Sequence, residues 1–201
     1  MLLKPALFLD RDGVIVEEVE YLSRPSQLAL IPRGAEAIAR VNRRGIPVVV
    51  ITNQAGVARG YFPEARVAEV HDHLDKLLSA CGARIDRYYY CPHHPTEGLE
   101  PYRRQCHCRK PHPGMLHKAA LQEGIDLQSS WLVGDKLSDV EAGQAAGCQT
   151  VLVHTGHGRA HARLLEKHKH LMARIVPNLW EAVDLFLSSL SVSRFAGWSS
   201  D

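Results

Sequence analysis

Ala6-Leu7-Phe8-Leu9-Asp10-Arg11-Asp12-Gly13 is an apolar strand that ends abruptly in two carboxylates one residue apart. Successive side chains on a strand point to opposite faces, so residues two apart can share one side. The pair can therefore present two acids to one substrate, one as nucleophile and one as proton donor. Gly13 lets the chain leave the strand in a conformation that other residues resist. Two acids after a strand also suit a simple turn, so the reading depends on the rest of the chain.

Outward from that strand, apolar runs alternate with helical periodicity. Gly34–Arg44 is predicted helical, with Ala35, Ile38 and Val41 inward and Gly45 as its stop. Pro47–Thr52 is a continuous β-branched run, as expected of a strand buried on both faces of a parallel sheet. Pro63–Cys81 carries Val67, Val70, Leu74, Leu77 and Leu78 at helical spacing. Strands follow at Arg87–Tyr90, Trp131–Val133 and Thr150–His154, with helices at Pro113–Glu123 and Ser138–Ala146. Asn178–Leu190 is predicted as an amphipathic helix presenting Trp180, Val183, Leu187 and Leu190 on one face. This alternation predicts an α/β fold of three α/β/α layers around a mostly parallel sheet. Ligands of such sheets bind beyond the carboxyl ends of the strands. Asp10, Asp12, Thr52, Asn53 and Asp135 all fall at or just past predicted strand ends, so they should converge on one edge.

The 201 residues suit one domain over 1–190, with a loop at 91–108 inserted and a disordered tail at 191–201. No segment has room for a large cap, so an open site is expected. A net charge of +2 and 23% charged residues give no nucleic-acid signature. The apolar run before Asp10 is too short for a signal peptide or membrane span, so a cytoplasmic, monomeric protein without a membrane partner is expected. His154, His157, His161, His168 and His170 are read as a solvated surface, and Tyr88–Tyr90 as strand packing. Cys81 and Cys148 are read as partly buried thiols, and His71 and His73 as facing different ways on their helix.

The groups expected at the strand ends suit phosphoryl transfer. Asp10 can attack phosphorus and form an aspartyl-phosphate. Asp12 can protonate the leaving oxygen and then deprotonate the attacking water. Thr52 and Lys110 can hold phosphate oxygens, while Asp10 and Asp135 can bind Mg²⁺, which favours hard oxygen ligands.

Five cysteines, an odd number without an export signal, argue against a disulfide framework. Three cluster beside histidines as C-x-H, twelve residues, then C-x-C. Cys91, His93, Cys106 and Cys108 form a Cys₃His set suited to tetrahedral Zn²⁺, with His94 and His107 as possible substitutes. With all four positions filled by protein, the zinc should be structural. Arg109 and Lys110 follow Cys108 directly, so the metal would fix two cations.

At this point the chain resembles the haloacid dehalogenase (HAD) superfamily of phosphatases, whose four motifs occur in order between Asp10 and Asp139. Thr52-Asn53-Gln54, Ala58-Arg59-Gly60, Cys91-Pro92-His93-His94-Pro95, Cys106 through Met115 and Val133-Gly134-Asp135-Lys136 are similar to the signature of its D-glycero-D-manno-heptose 1,7-bisphosphate 7-phosphatase family. The similarity covers about residues 6–156. It implies Asp10 as nucleophile, Asp12 as acid/base, and Mg²⁺ held by Asp10, the Asp12 main-chain carbonyl and Asp135. It implies phosphate or substrate contacts from Thr52, Arg109, Lys110 and Lys136, and a sugar pocket lined by Glu18, Val19, Glu20, Tyr21, Thr52, Asn53, Gln54 and Ala55. The expected activity is removal of the 7-phosphate from a small sugar bisphosphate, in the synthesis of nucleotide-activated heptose for lipopolysaccharide. Histidinol-phosphate phosphatase and a non-catalytic zinc-stabilised binding module are the alternatives. Val14, Ala55 and the Glu18–Tyr21 loop depart from the family's common Thr, Ser and His/Gly-containing pattern.

Overall fold

A computed structural model describes residues 3–195, with side chains through residue 190. Six strands form one wholly parallel sheet: β1 (Leu7–Leu9), β2 (Val48–Asn53), β3 (Arg87–Cys91), β4 (Trp131–Gly134), β5 (Gln149–Val153) and β6 (Arg174–Val176). Their spatial order is β3-β2-β1-β4-β5-β6. The helices are α1 (Gly34–Asn42), α2 (Ala55–Ala58), α3 (Ala65–Ala80), α4 (Gly114–Glu123), α5 (Leu137–Ala145), α6 (Gly158–Leu165) and α7 (Leu179–Phe195).

Alternation along the central strands builds the three layers. Leu7, Leu9, Val48, Val50, Trp131 and Val133 pack with apolar residues of α1, α3 and α7. Phe8, Val49, Ile51 and Leu132 face the other way, onto Met115, Leu116 and Ala119 of α4 and Ala142 of α5. Both faces of β1 are therefore sealed, which explains why a strand of three residues can hold the centre of the sheet.

The predicted strands and long helices all form, with ends moved by a residue or two except at α7, which runs five residues past its predicted end. Three elements were not anticipated: α2, α6 and β6. Helix α6 (GRAHARLL) is mostly polar, and only Val176 of β6 is buried, so neither carries a clear apolar pattern. In α7 the buried stripe is Leu179, Ala182, Val183, Phe186 and Leu187. Trp180 lies beside that stripe, with the guanidinium carbons of Arg33 and Arg40 at 3.5 and 4.3 Å from its ring centroid. Helix α7 continues through Phe195, against the expectation of disorder from 191, while residues 196–201 lie outside the described residues. Cys81 is exposed rather than partly buried because it follows the end of α3, whereas Cys148 is buried. No helix among the described residues is long and apolar enough to cross a membrane.

Candidate active site

The strand order reverses between β1 and β4, since successive strands run outward from β1 on one side and from β4 on the other. Loops diverge there and leave a crevice at the carboxyl ends. Asp10 follows β1 and Asp135 follows β4, and Asp10 N donates to Val133 O at 3.0 Å, carrying the pairing one residue past the strand. One crevice is lined by Asp10, Asp12, Glu18, Val19, Glu20, Tyr21, Thr52, Asn53, Gln54, Ala55, Lys110 and Lys136. All the expected pocket residues thus meet there except Arg109. The Arg109 guanidinium instead donates to His93 O at 3.0 Å, which ties it to the cysteine loop. A larger cavity, about 960 Å³, lies alongside edge strand β3 and includes none of these acids.

Lys110 is the central cation. Its Nζ donates to Ile51 O at 2.9 Å and pairs by charge with Asp10 Oδ1 at 3.1 Å and Asp139 Oδ1 at 2.6 Å. Burial disfavours its charge, but Asp10 and Asp139 outweigh burial and raise its pKa. Asn53 fixes its backbone reciprocally: Asn53 Nδ2 donates to Lys110 O and Lys110 N donates to Asn53 Oδ1, both at 3.0 Å. The amide expected to face sugar is therefore committed to holding the lysine. Lys136 lies across the crevice, its Nζ 3.0 Å from Glu18 Oε2.

Asp10 accepts from Arg11 N at 2.7 Å through the same Oδ1 that meets Lys110, which leaves Oδ2 unencumbered. Burial pushes Asp10 up to about 6, opposed by Lys110 and assisted by Asp139 and Asp12. Asp135 is pushed up to about 8, by burial and then by Asp10. Burial also acts on Asp12, but the Arg11 charge, the Arg11 hydrogen bond and the Gln54 hydrogen bond outweigh it and hold the carboxyl below its usual range. The two acids of the opening motif are thus set apart by their surroundings.

Asp10, Asp135 and Asp139 present ligand atoms within 4.8 Å of one another. Asp135 is fully buried, and its Oδ1 has no hydrogen-bond partner, with the Lys136 ammonium only at 4.0 Å. A buried carboxylate oxygen without a donor is costly unless a cation meets it, and an all-oxygen acidic set suits Mg²⁺. The residues present therefore fit the expected metal. Asp135 Oδ2 accepts from His157 N at 2.8 Å.

Asp139 and His157 were missed as site residues. Asp139 sits in the first turn of α5, where its Oδ2 accepts from Lys136 N at 3.0 Å. An acid at the third position of a helix is a recognisable capping signal, but its partner Lys110 is distant in sequence. His157 contributes its backbone, which no side-chain pattern reveals.

Gly13 shows how tight the crevice is. It has φ +77°, and a Cβ there would lie 2.3 Å from Asp135 Oδ2 and 3.1 Å from Gly156 Cα. Gly13→Ala is expected to displace Asp135 and lower kcat by roughly 10²-fold. It should also cost about 1–3 kcal/mol of stability. Steady-state kinetics and a denaturant melt check both; wild-type kcat would show that the close approach is unimportant.

The second cluster brings together Cys91, His93, Cys106 and Cys108. The three Sγ–Sγ separations are 3.2, 3.3 and 3.5 Å, and His93 Nδ1 lies 3.6 and 3.5 Å from Cys91 and Cys108 Sγ. Tetrahedral zinc with about 2.3 Å bonds to sulfur requires edges of roughly 3.5–3.8 Å. The cluster fits with small adjustment, and Nδ1 is the imidazole ligand atom it offers. A bond to Cys91 lowers the Cys108 thiol to about 5, ahead of the opposing effect of burial, while the same bond and burial raise Cys91. His94 and His107 are not in the set: His94 Nδ1 accepts from Glu97 N at 3.0 Å, and the His107 ring lies near that of His112.

A HAD-hydrolase-like family model matches residues 107–182. D-glycero-D-manno-heptose-1,7-bisphosphate 7-phosphatase of Chlorobaculum tepidum is 41% identical over 194 residues, covering 94% of this chain and 96% of the relative. The D-glycero-beta-D-manno-heptose-1,7-bisphosphate 7-phosphatase of Escherichia coli K12 is 43% identical over 153 residues, covering 76% of this chain and 80% of the relative. The crystal structure of D,D-heptose 1,7-bisphosphate phosphatase from B. bronchiseptica, complexed with magnesium and phosphate, superimposes with TM-score 0.81 at 34% identity, covering 92% of this chain and 99% of that one. The fold, the converging acids and this likeness over nearly the full length agree: the chain belongs to the D-glycero-D-manno-heptose 1,7-bisphosphate 7-phosphatase family of HAD phosphatases.

Proposed function

We propose that this phosphatase removes the 7-phosphate of D-glycero-D-manno-heptose 1,7-bisphosphate through an aspartyl-phosphate on Asp10, with Mg²⁺ in the crevice and structural Zn²⁺ in the loop. The observation that carries the reading is the meeting of Asp10, Asp12, Thr52, Lys110 and Lys136 with the Glu18–Tyr21 loop in one crevice. Asp10, the Asp12 main-chain carbonyl and Asp135 would hold Mg²⁺, whose charge would let an anionic nucleophile approach an anionic phosphate.

Asp10 Oδ2 attacks phosphorus, and the bond from phosphorus to the sugar oxygen breaks. The negative charge of the entering phosphate opposes the Arg11 effect on Asp12 and favours its protonated form, which gives its proton to that departing oxygen and then takes one from the water that hydrolyses the aspartyl-phosphate. Thr52 and Lys110 hold the phosphoryl oxygens. Unaided phosphate monoester hydrolysis is slow enough that enzymes reach accelerations of about 10²¹. Proton transfer contributes only roughly 10²–10⁴ of that, so the buried cations and their positioning must supply much of the remainder.

Residues 1–190 are proposed to act as one catalytic unit without a large cap. Substrate choice would then rest on Glu18–Tyr21 and on the rim, where the Arg59 guanidinium donates to Tyr21 and Tyr61 meets the Tyr21 ring at 4.5 Å. Phosphate release should show kcat/KM for the heptose bisphosphate at least about 10²-fold above that for histidinol phosphate. The reverse order would assign the chain to histidinol phosphate instead.

A further inference from the structure

Behind Asp12 lies a buried series of contacts that the chemistry above does not use. Arg11 is 1% exposed. Its Nε donates to Asp12 Oδ1 at 3.1 Å and its Nη2 to Asp12 Oδ2 at 2.9 Å. The remaining terminal nitrogen, Nη1, lies 3.2 Å from His71 Nε2. Burial and the Arg11 charge push His71 down to about 3, so the ring is neutral and Nε2 is the acceptor, with the hydrogen on Nδ1. The ring stacks on Tyr88 with centroids 4.2 Å apart and planes 15° apart, and Tyr88 Oη donates to Asp75 Oδ1 at 2.6 Å. His71 and Asp75 stand four apart on α3, on one helix face. Tyr90 meets the His71 ring edge-on at 6.2 Å. One helix thus fixes the histidine, the histidine fixes one end of the guanidinium, and the other end fixes Asp12.

A two-pronged arginine–carboxylate pair sets the plane of the carboxylate as well as its charge. Asp12 Oδ2 also accepts from Gln54 Nε2 at 3.0 Å, so it already takes two donors. Oδ1 takes one and keeps capacity for another.

We propose that Arg11, oriented by His71, is a positioning residue for the proton transfer, holding Asp12 so that Oδ1 gives and takes the proton at the sugar oxygen and at water. The proposal rests on Asp12 being the acid/base.

The test compares kcat/KM for heptose 1,7-bisphosphate with that for p-nitrophenyl phosphate, in magnesium, for Arg11→Lys, His71→Leu, His71→Gln and Asp12→Asn. p-Nitrophenolate departs without being protonated, so a mis-aimed acid slows only the sugar substrate. Lysine keeps the charge of arginine but loses its fork. Arg11→Lys and His71→Leu are expected to lower the sugar-phosphate value roughly 30–300-fold and the aryl value less than about 5-fold, with KM little changed. Glutamine can accept the Arg11 bond, so His71→Gln should stay within about 3-fold of wild type on both substrates. Equal losses on both substrates, or a glutamine variant as impaired as the leucine variant, would overturn the proposal. Asp12→Asn separates the two readings. If it alone shows the selective loss, Arg11 does not position the acid although Asp12 is the acid. If it loses both substrates equally, the acid/base assignment fails and the positioning role with it.

Discussion

Asp10→Asn is expected to abolish turnover, by roughly 10⁴–10⁶-fold in kcat, while leaving the fold intact. The amide is far too weak a nucleophile to open the two-step route. The fold should survive because the substitution removes one charge from a crowded buried group: Asp10, Asp135 and Asp139 lie together, and Asp10 and Asp139 share Lys110. Lys110 keeps Asp139 at 2.6 Å and Ile51 O at 2.9 Å, so it is not stranded. The thermal midpoint should stay within a few degrees of wild type, since roughly 1 kcal/mol corresponds to about 2–4 °C at this size. Acid-quenched enzyme exposed to labelled substrate should carry phosphate only when Asp10 is present. Measurable turnover by the variant would sink the nucleophile assignment and return the non-catalytic binding module to consideration.

The second large effect is expected from Cys106→Ser combined with Cys108→Ser. Elemental analysis should find about one zinc per wild-type chain and none in the variant. Structural zinc contributes about 10–16 kcal/mol in small peptides that fold around it. Here Cys91 is buried at the end of β3 and packs in the core beside α4, so part of the loop is anchored without metal. A loss of about 3–5 kcal/mol, or a fall of roughly 6–20 °C in thermal midpoint, is the scale expected. Activity should fall too, although none of the four cluster residues lines the crevice. Lys110 is two residues from Cys108, and its Nζ meets Asp10 Oδ1 at 3.1 Å. Displacing that lysine would leave the acidic cluster without its central cation. A variant with full activity and an unchanged melting point would mean that the loop holds itself.

The Arg11-Asp12 pair illustrates how far local sequence reaches. Asp12 is legible because a second acid two residues after the first suits one side of a strand end. Arg11 carries no local signal, since a basic residue between two acids reads as local charge balance. Its burial and its contact with His71 arise only when α3 packs against the β1 loop. His71 in the sequence is one of two helical histidines facing different ways, and its stacking partner Tyr88 comes from β3. Arg109 shows the opposite case. Adjacent to Lys110, it was expected at the phosphate, but the backbone turn after Cys108 directs it to His93 O instead.

The sequence by itself determined the parallel α/β architecture, the strand-end acids, Thr52 and Lys110 as candidate phosphate contacts, and the Cys₃His set. Each of these is written in short-range terms: residue type, period and spacing. The tertiary structure alone decided that Asp139 shares Lys110 with Asp10, that His157 N meets Asp135, that His93 turns Nδ1 toward the cysteine sulfurs, and that Arg11 is held from behind by His71. Those contacts join residues up to about 100 positions apart. Their geometry follows from how the helices pack on the sheet, which no local pattern encodes.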